Sequence, residues 1–228
     1  MSRRILALVS FLLLLGAVGA CDGDGGSGGT ERADFDGAQV IRRAAQAMGD
    51  LKSVAFTVST QDETPIMVKG GDLKLLRNGD AEGTLTVEQS GHAVEMKVVA
   101  VGDSIYLDAG TGGWRRAPKA LAATMYDPSA VLDPERGIAS LLSSLEAPEA
   151  EAVEEVGGKE AYRVAATLPQ DRIGGLIPGI DADLRGQVWV NKDDGRLVKV
   201  RGAFPEGKGA VVIEFTEFDA AYKISAPR

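Results

Sequence analysis

An α+β fold, in which helices cover the apolar face of a large curved antiparallel sheet, is predicted by three observations. Apolar residues enter many short stretches at every second position, Gly-containing breaks separate those stretches at hairpin spacing, and helical periodicity is confined to the start and the middle of the chain. Composition sets the scale. Of 228 residues 44% are hydrophobic and 5% aromatic, and 29 are Gly, as expected for one globular domain with many turns.

Arg3 and Arg4 precede an apolar run over residues 5–15 that only Ser10 interrupts, and Gly16, Ala17, Val18, Gly19 and Ala20 then form a small-residue cleavage zone. The run is too short for a comfortable bilayer span. The single Cys of the chain follows at once, and Val18-Gly19-Ala20-Cys21 resembles the bacterial lipobox, in which the Cys thiol is acylated and the peptide is cut before it. A lone thiol in an oxidising compartment is otherwise a liability. The expected organisation is therefore a lipoprotein signal peptide over 1–20, lipidated Cys21 with a flexible Gly-rich tether over 21–34, and one domain over 35–228. Maturation would remove two of the 25 basic residues and no acid, leaving 23 against 33 and a net charge of −10. Membrane residence would then rest on acyl chains, each methylene contributing about 0.8 kcal/mol, since acidity opposes adsorption to an anionic leaflet.

Asp36 and Gln39 stand at capping-box spacing, Phe35 and Val40 at hydrophobic-staple spacing, and Val40, Ile41, Ala44, Ala45, Met48 and Leu51 continue at helical period. From Ser53 the period becomes two. Val54, Phe56 and Val58 share one face of a strand, as do Leu85 and Val87, then Val94, Met96 and Val98, with Ile105 and Leu107 beyond. Breaks at Asn78-Gly79-Asp80, Ser90-Gly91, Gly102-Asp103 and residues 110–113 indicate consecutive antiparallel hairpins.

Helical signals return in the middle: an Ala/Leu-rich piece over 118–126, then Asp127-Pro128 and Asp133-Pro134, each an N-cap residue followed by Pro at the first helical position. Ile138, Leu141, Leu142 and Leu145 form an apolar stripe ahead of Pro148, so helix is expected across 128–146. Strands follow over 152–156, 161–168, 187–191, 196–203 and 210–218, punctuated by Gly157-Gly158, Asp194-Gly195 and Gly207-Lys208-Gly209.

Several motifs with chemical associations lack the context they need. Gly25-Gly26-Ser27-Gly28-Gly29 has the spelling of a nucleophile elbow without the flanking strand and helix. Residues 202–208 have P-loop spacing, but Gly209 stands where a magnesium-binding hydroxyl belongs and no helix follows. Asn191 to Gly195 resembles half of a calcium loop that lacks its closing Glu, and His92 has no nominated nucleophile or orienting carboxylate. No catalytic residue, cofactor or metal site is therefore expected, and the dispersed Lys and Arg with an excess of acid exclude nucleic acid as a partner. Trp114, Trp189, Tyr106 and Tyr162 read as packing residues. The apolar Gly-rich stretch from Gly174 to Ile180 either packs back on the core or lines the mouth of a cavity.

The lipobox and tether, Tyr126-Asp127-Pro128 through Val131-Leu132-Asp133-Pro134 and Gly137-Ile138-Ala139, and Gly157-Gly158-Lys159 with Ala161 to Val164 resemble the LppX/LprA/LprF/LprG family of actinobacterial envelope lipoproteins. Val188-Trp189-Val190 followed by Asp194 to Leu197 is similar to the penultimate hairpin of that family. The resemblance spans most of the chain from Cys21 to about residue 220, and the tandem Asp-Pro pair is its most specific part. It implies a half-barrel of antiparallel strands with helices on the concave face, enclosing an apolar cavity for multi-acylated lipids or glycolipids. It further implies a non-enzymatic carrier, anchored on the extracytoplasmic face of the plasma membrane through acylated Cys21, that moves lipid toward the outer envelope with a membrane lipid transporter as a partner. Val54, Phe56, Val58, Leu85, Val87, Val94, Met96, Val98, Ile105, Leu107, Leu141 and Leu142 would line the cavity. Helix-on-sheet burial can equally produce a solid core, which would suit a scaffold or regulator of a partner protein; the aliphatic, ring-poor character of these positions favours the cavity.

Overall fold

The computed structural model describes residues 33–122 and 128–228. Cys21, the signal peptide, the tether, Tyr126 and Asp127 lie outside the described residues. Helix α1 (Gly37–Gly49) opens the fold, and strands β1 (Ser53–Gln61), β2 (Val68–Leu76), β3 (Ala81–Gln89), β4 (His92–Val101), β5 (Ser104–Asp108) and β6 (Arg115–Pro118) follow as a meander. Helix α2 (Lys119–Ala122), a 3₁₀ turn (Pro128–Ala130) and α3 (Ile138–Ser143) then carry the chain to the opposite edge of the sheet. There a second meander begins, with β7 (Glu146–Val156), β8 (Lys159–Leu168), α4 (Gln170–Ile173), β9 (Leu184–Asn191), β10 (Leu197–Ala203) and β11 (Ala210–Phe218).

The eleven strands of the described residues form one antiparallel sheet in the order β6-β5-β4-β3-β2-β1-β11-β10-β9-β8-β7. The sheet is curved and unclosed, so the two meanders meet where β1 pairs with β11 and the outer edges stay free of each other. Both edges are protected against further pairing. Strand β6 is four residues long, with exposed Arg115 and Arg116, while β7 carries Pro148, several Glu and two register shifts. Glycine shapes the β2–β3 hairpin: a Cβ at Gly83 would stand 2.1 Å from the Asp72 carbonyl oxygen, and one at Gly71 2.5 Å from that of Thr84. Only residues without a side chain let these strands approach so closely and bend.

Helix α1 starts where its sequence says it should, with Asp36 accepting from the Gln39 N–H at 3.1 Å. Its buried stripe, Val40, Ile41, Ala44 and Met48, joins one core with Ile138, Leu141 and Leu142 of α3 and with Val164, Val188 and Val200 of the second meander.

The middle of the chain is less helical than its spacing predicts. Asp133 does accept from the N–H groups of Glu135 and Arg136, at 2.9 and 3.1 Å, and these bonds with the neighbouring Arg136 guanidinium hold its carboxyl below the usual carboxylate range. The turn it caps does not propagate into a helix. Gly137 N–H donates back to the Asp133 carbonyl, α3 begins only at Ile138, and it ends at Ser143 so that β7 starts at Glu146 and takes Pro148 into an edge strand. A helix across 128–146 is thus corrected to a 3₁₀ turn and six helical residues.

The apolar face as a candidate functional site

Cross-strand pairing places side chains of like parity on one face, so the register identifies the site. Met96, Leu85, Gly71, Val58, Ile213, Val200, Val188, Val164 and Ala150 are paired in sequence across nine strands from β4 to β7. A parallel row runs Leu107, Val98, Gly83, Leu73, Phe56, Phe215, and a third runs Ile105, Ala100, Ala81, Leu75, Val54. The alternate row reads Asp108, Lys97, Thr84, Asp72, Thr57, Glu214, Lys199, Trp189, Arg163 and points the other way. One face is aliphatic and the other polar.

Burial along the nine-strand row changes at β11. Val164, Val188 and Val200 are buried beneath α1, which packs in turn on α3, whereas Ile213, Val58, Leu85 and Met96 are half-buried. The helices therefore cover the second meander and leave the aliphatic face of the first incompletely covered. Of the residues nominated from sequence, Val54, Phe56, Val98, Ile105, Leu141 and Leu142 are buried in the common core. Val58, Leu85, Met96 and Leu107 pack against that core half-buried, and Val87 and Val94 are half-buried at the far end of the β3–β4 hairpin. Ile213 belongs to the same half-buried row and is absent from the positions that alternation identifies. Its stretch, Ala210 to Phe215, has apolar residues on both faces, so alternation does not say which side Ile213 takes.

Three loops meet at the end of the sheet where β1 and β8 finish. A Cβ at Gly179 would lie 3.5 Å from Ile66 Cγ2, and one at Gly209 2.9 Å from the Glu63 carbonyl oxygen, so the 62–67 loop touches both the 169–183 and the 204–209 loops. The apolar stretch from Gly174 to Ile180 packs back on the core. Ile180 is buried with Ile173 in the core, while Leu176 and Ile177 pack against it half-buried. The Asp183 carboxylate closes the base of this loop by accepting from the Gln170 N–H at 2.8 Å.

The other motifs resolve as local structure. Asn191 Oδ1 accepts from the N–H groups of Asp193 and Asp194, at 2.8 and 3.2 Å, and the Arg43 guanidinium donates to the carbonyls of Lys192 and Asp193. Residues 205–207 form a 3₁₀ turn in a hairpin, and exposed His92 faces the Ser90 carbonyl at 3.0 Å. Among the described residues no group of three or more His, Cys, Asp and Glu is arranged to hold a metal ion, and no helix is long and apolar enough to cross a membrane. Trp189 donates to Glu154 on the polar face and lies under Lys199, while Tyr162 pairs with Phe35 at a centroid distance of 4.6 Å and lies under Lys192. These cations arrive across strands, where sequence spacing does not reveal them.

The comparisons with known proteins agree with this geometry. The chain is 30% identical over 210 residues to the protein named lipoarabinomannan carrier protein LprG of Mycolicibacterium hassiacum, covering 88% of each. It is 26% identical over 197 residues to the protein of the same name from Mycolicibacterium smegmatis, covering 84% of this chain and 83% of that one. The crystal structure of LprF from Mycobacterium bovis superposes with a TM-score of 0.74 at 19% identity, covering 84% of this chain and 96% of LprF, and so shares the fold. The family model for LppX_LprAFG lipoproteins matches residues 36–224, the whole of the sheet with its helices, and the chain accordingly belongs to that lipoprotein family.

Proposed function

We propose that this protein is a lipid carrier without catalytic activity, tethered to the extracytoplasmic face of the plasma membrane through acylated Cys21. Acyl chains of a multi-acylated lipid or glycolipid lie along the incompletely covered aliphatic face of the first meander, and the chain conveys the lipid toward the outer envelope, receiving it from or passing it to a membrane transporter. The observation that carries this reading is the half-burial of Val58, Leu85, Met96 and Ile213 in a row in which Val164, Val188 and Val200 are buried where α1 packs on their strands. Aliphatic surface left open to water costs about 25 cal/mol per Å², and an acyl chain laid on it removes that cost. The carrier names of the LprG relatives support the same reading.

The test is organic extraction of the purified protein followed by mass spectrometry, for the wild type and for Leu85→Trp. Acyl lipid in the wild type, and its loss from a variant of near-normal thermal stability, is the expected result. A wild type free of lipid, with the Trp variant destabilised by about 1 to 3 kcal/mol as in a filled core, would overturn the proposal in favour of a scaffold. Cys21→Ser should release the protein or block its processing; recovery of this variant in the membrane fraction with unchanged processing would refute the anchor.

A further inference from the structure

We infer that the tip formed by the 62–67 and 174–180 loops is a bilayer-docking surface, which inserts Met67, Leu176 and Ile177 between lipid headgroups and so places the open end of the aliphatic face against the membrane. Met67 is 67% exposed, a large apolar side chain held out by a loop whose neighbour Ile66 is fully buried. Leu176 and Ile177 stand half-buried between exposed Pro178 and the buried anchors Ile173 and Ile180, and the Gly179–Ile66 approach joins the two loops into one patch. The patch continues into the aliphatic face. The Met67 carbonyl accepts from the Glu88 N–H at 2.8 Å, and the adjoining Val68 pairs with half-buried Val87.

Chain length selects a bilayer as the occupant, and charge decides how the contact is made. The cations of the rim are paired locally, Lys69 with Glu88 at 3.1 Å, Lys208 with Glu206 at 2.9 Å and Arg172 with Asp171 at 3.6 Å, while exposed Asp62, Glu63 and Asp181 add negative charge. No surplus cation is left on these pairs to draw the tip to an anionic surface, so docking rests on apolar insertion, which salt does not screen. Twelve residue steps separate Cys21 from Ala33, a span of at most about 40 Å. Gly37 lies beside Val164, and Leu168 at the tip end of β8 is four residues, about 13 Å, further along. A chain anchored at Cys21 can therefore bring this end of the sheet onto the membrane. The inference rests on the anchor at Cys21 and does not require that a lipid be bound.

The full-length acylated protein is reconstituted in phosphatidylcholine vesicles with an environment-sensitive fluorophore at Met67→Cys, Ile177→Cys or, on the polar face, Thr84→Cys. Sedimentation with the vesicles reports the anchor, and quenching by nitroxide lipids reports immersion of each site. The expected result is a blue shift and loss of emission at positions 67 and 177, unchanged by high salt, with no change at 84. Sedimentation with equal, negligible quenching at all three sites would overturn the docking surface while leaving the anchor intact. A blue shift without lipid quenching would overturn it in favour of contact with a second copy of the chain, and quenching abolished by salt would overturn apolar insertion. Failure to sediment would overturn the anchor and the docking with it. Matching thermal melts of the labelled variants confirm that each outcome refers to folded protein.

Discussion

A single carboxylate sets the first residue of α1. Asp36 has extended backbone and accepts from the Gln39 N–H, satisfying one of the donors that a helix start leaves unpaired. Asp36→Ala should lower stability by about 1 kcal/mol, with Asp36→Asn near wild type, as measured by chemical denaturation. This residue was legible because capping is local, and its partner lies three positions away. Tyr222 was not. It lies beyond β11, its hydroxyl donates to Glu217, and the Lys74 ammonium stands 5.4 Å from its ring centroid, contacts that no periodicity announces. Burial, then the bond to Glu217 and the charge of that carboxylate, pushes the Tyr222 phenol well above its usual range. A raised acid favours folding in its neutral form. The contribution is complete below the unfolded pKa near 10 and is lost as pH rises above it toward the folded value. Thermal melts of the wild type should accordingly fall between pH 10 and 12 more steeply than those of Tyr222→Phe; parallel curves would show that Tyr222 does not govern this range.

Elements were legible in proportion to how far one face alone is wet. Strands β3 and β4 alternate cleanly because Thr84, Thr86, Glu95 and Lys97 face water, and β8 to β11 were bracketed by their turns. Strand β2 gave no such signal, since Gly70 and Gly71 interrupt its alternation, and at Gly71 close approach to β3 excludes a side chain. The long middle helix failed for a different reason: capping residues and an apolar stripe are present, but the chain must cross to the far edge of the sheet and enter β7 by Glu146, which leaves room for six helical residues. Tertiary demand overrode local preference. The glycine argument gives a sharp expectation. Gly83→Ala sets a methyl against the Asp72 carbonyl oxygen and should cost about 1 to 3 kcal/mol or more, whereas Gly112→Ala, with open space around it and no positive φ, should be nearly neutral. Equal denaturation midpoints for the two variants would mean that the β2–β3 hairpin relaxes without loss.

At the scale of the whole molecule the asymmetry lies between the two meanders, and topology produces it. Because the chain returns from β6 to β7 through α2 and α3 and begins with α1, its helical cover is delivered to the β7–β10 half, where α1 packs on α3 and on the strands. The first meander keeps its aliphatic row with less cover, a property that pairing register and burial reveal together and that alternation alone cannot, since a filled and an open face have the same pattern. Such a molecule should be stabilised by whatever occupies that row. A ligand that binds only the folded state adds RT ln(1 + [L]/Kd), about 2.7 kcal/mol at a hundredfold excess over Kd. Under the proposed function, delipidation by detergent exchange should therefore lower the melting temperature, and acyl lipid added back should restore it. Met96→Ser, which leaves the row intact elsewhere, should reduce the increment more than it reduces the stability of the lipid-free protein. Thr84→Ser on the opposite face should leave the increment unchanged. A melting temperature indifferent to lipid in the wild type would mean that the half-buried row is packed against the protein's own side chains, and the carrier reading would fall.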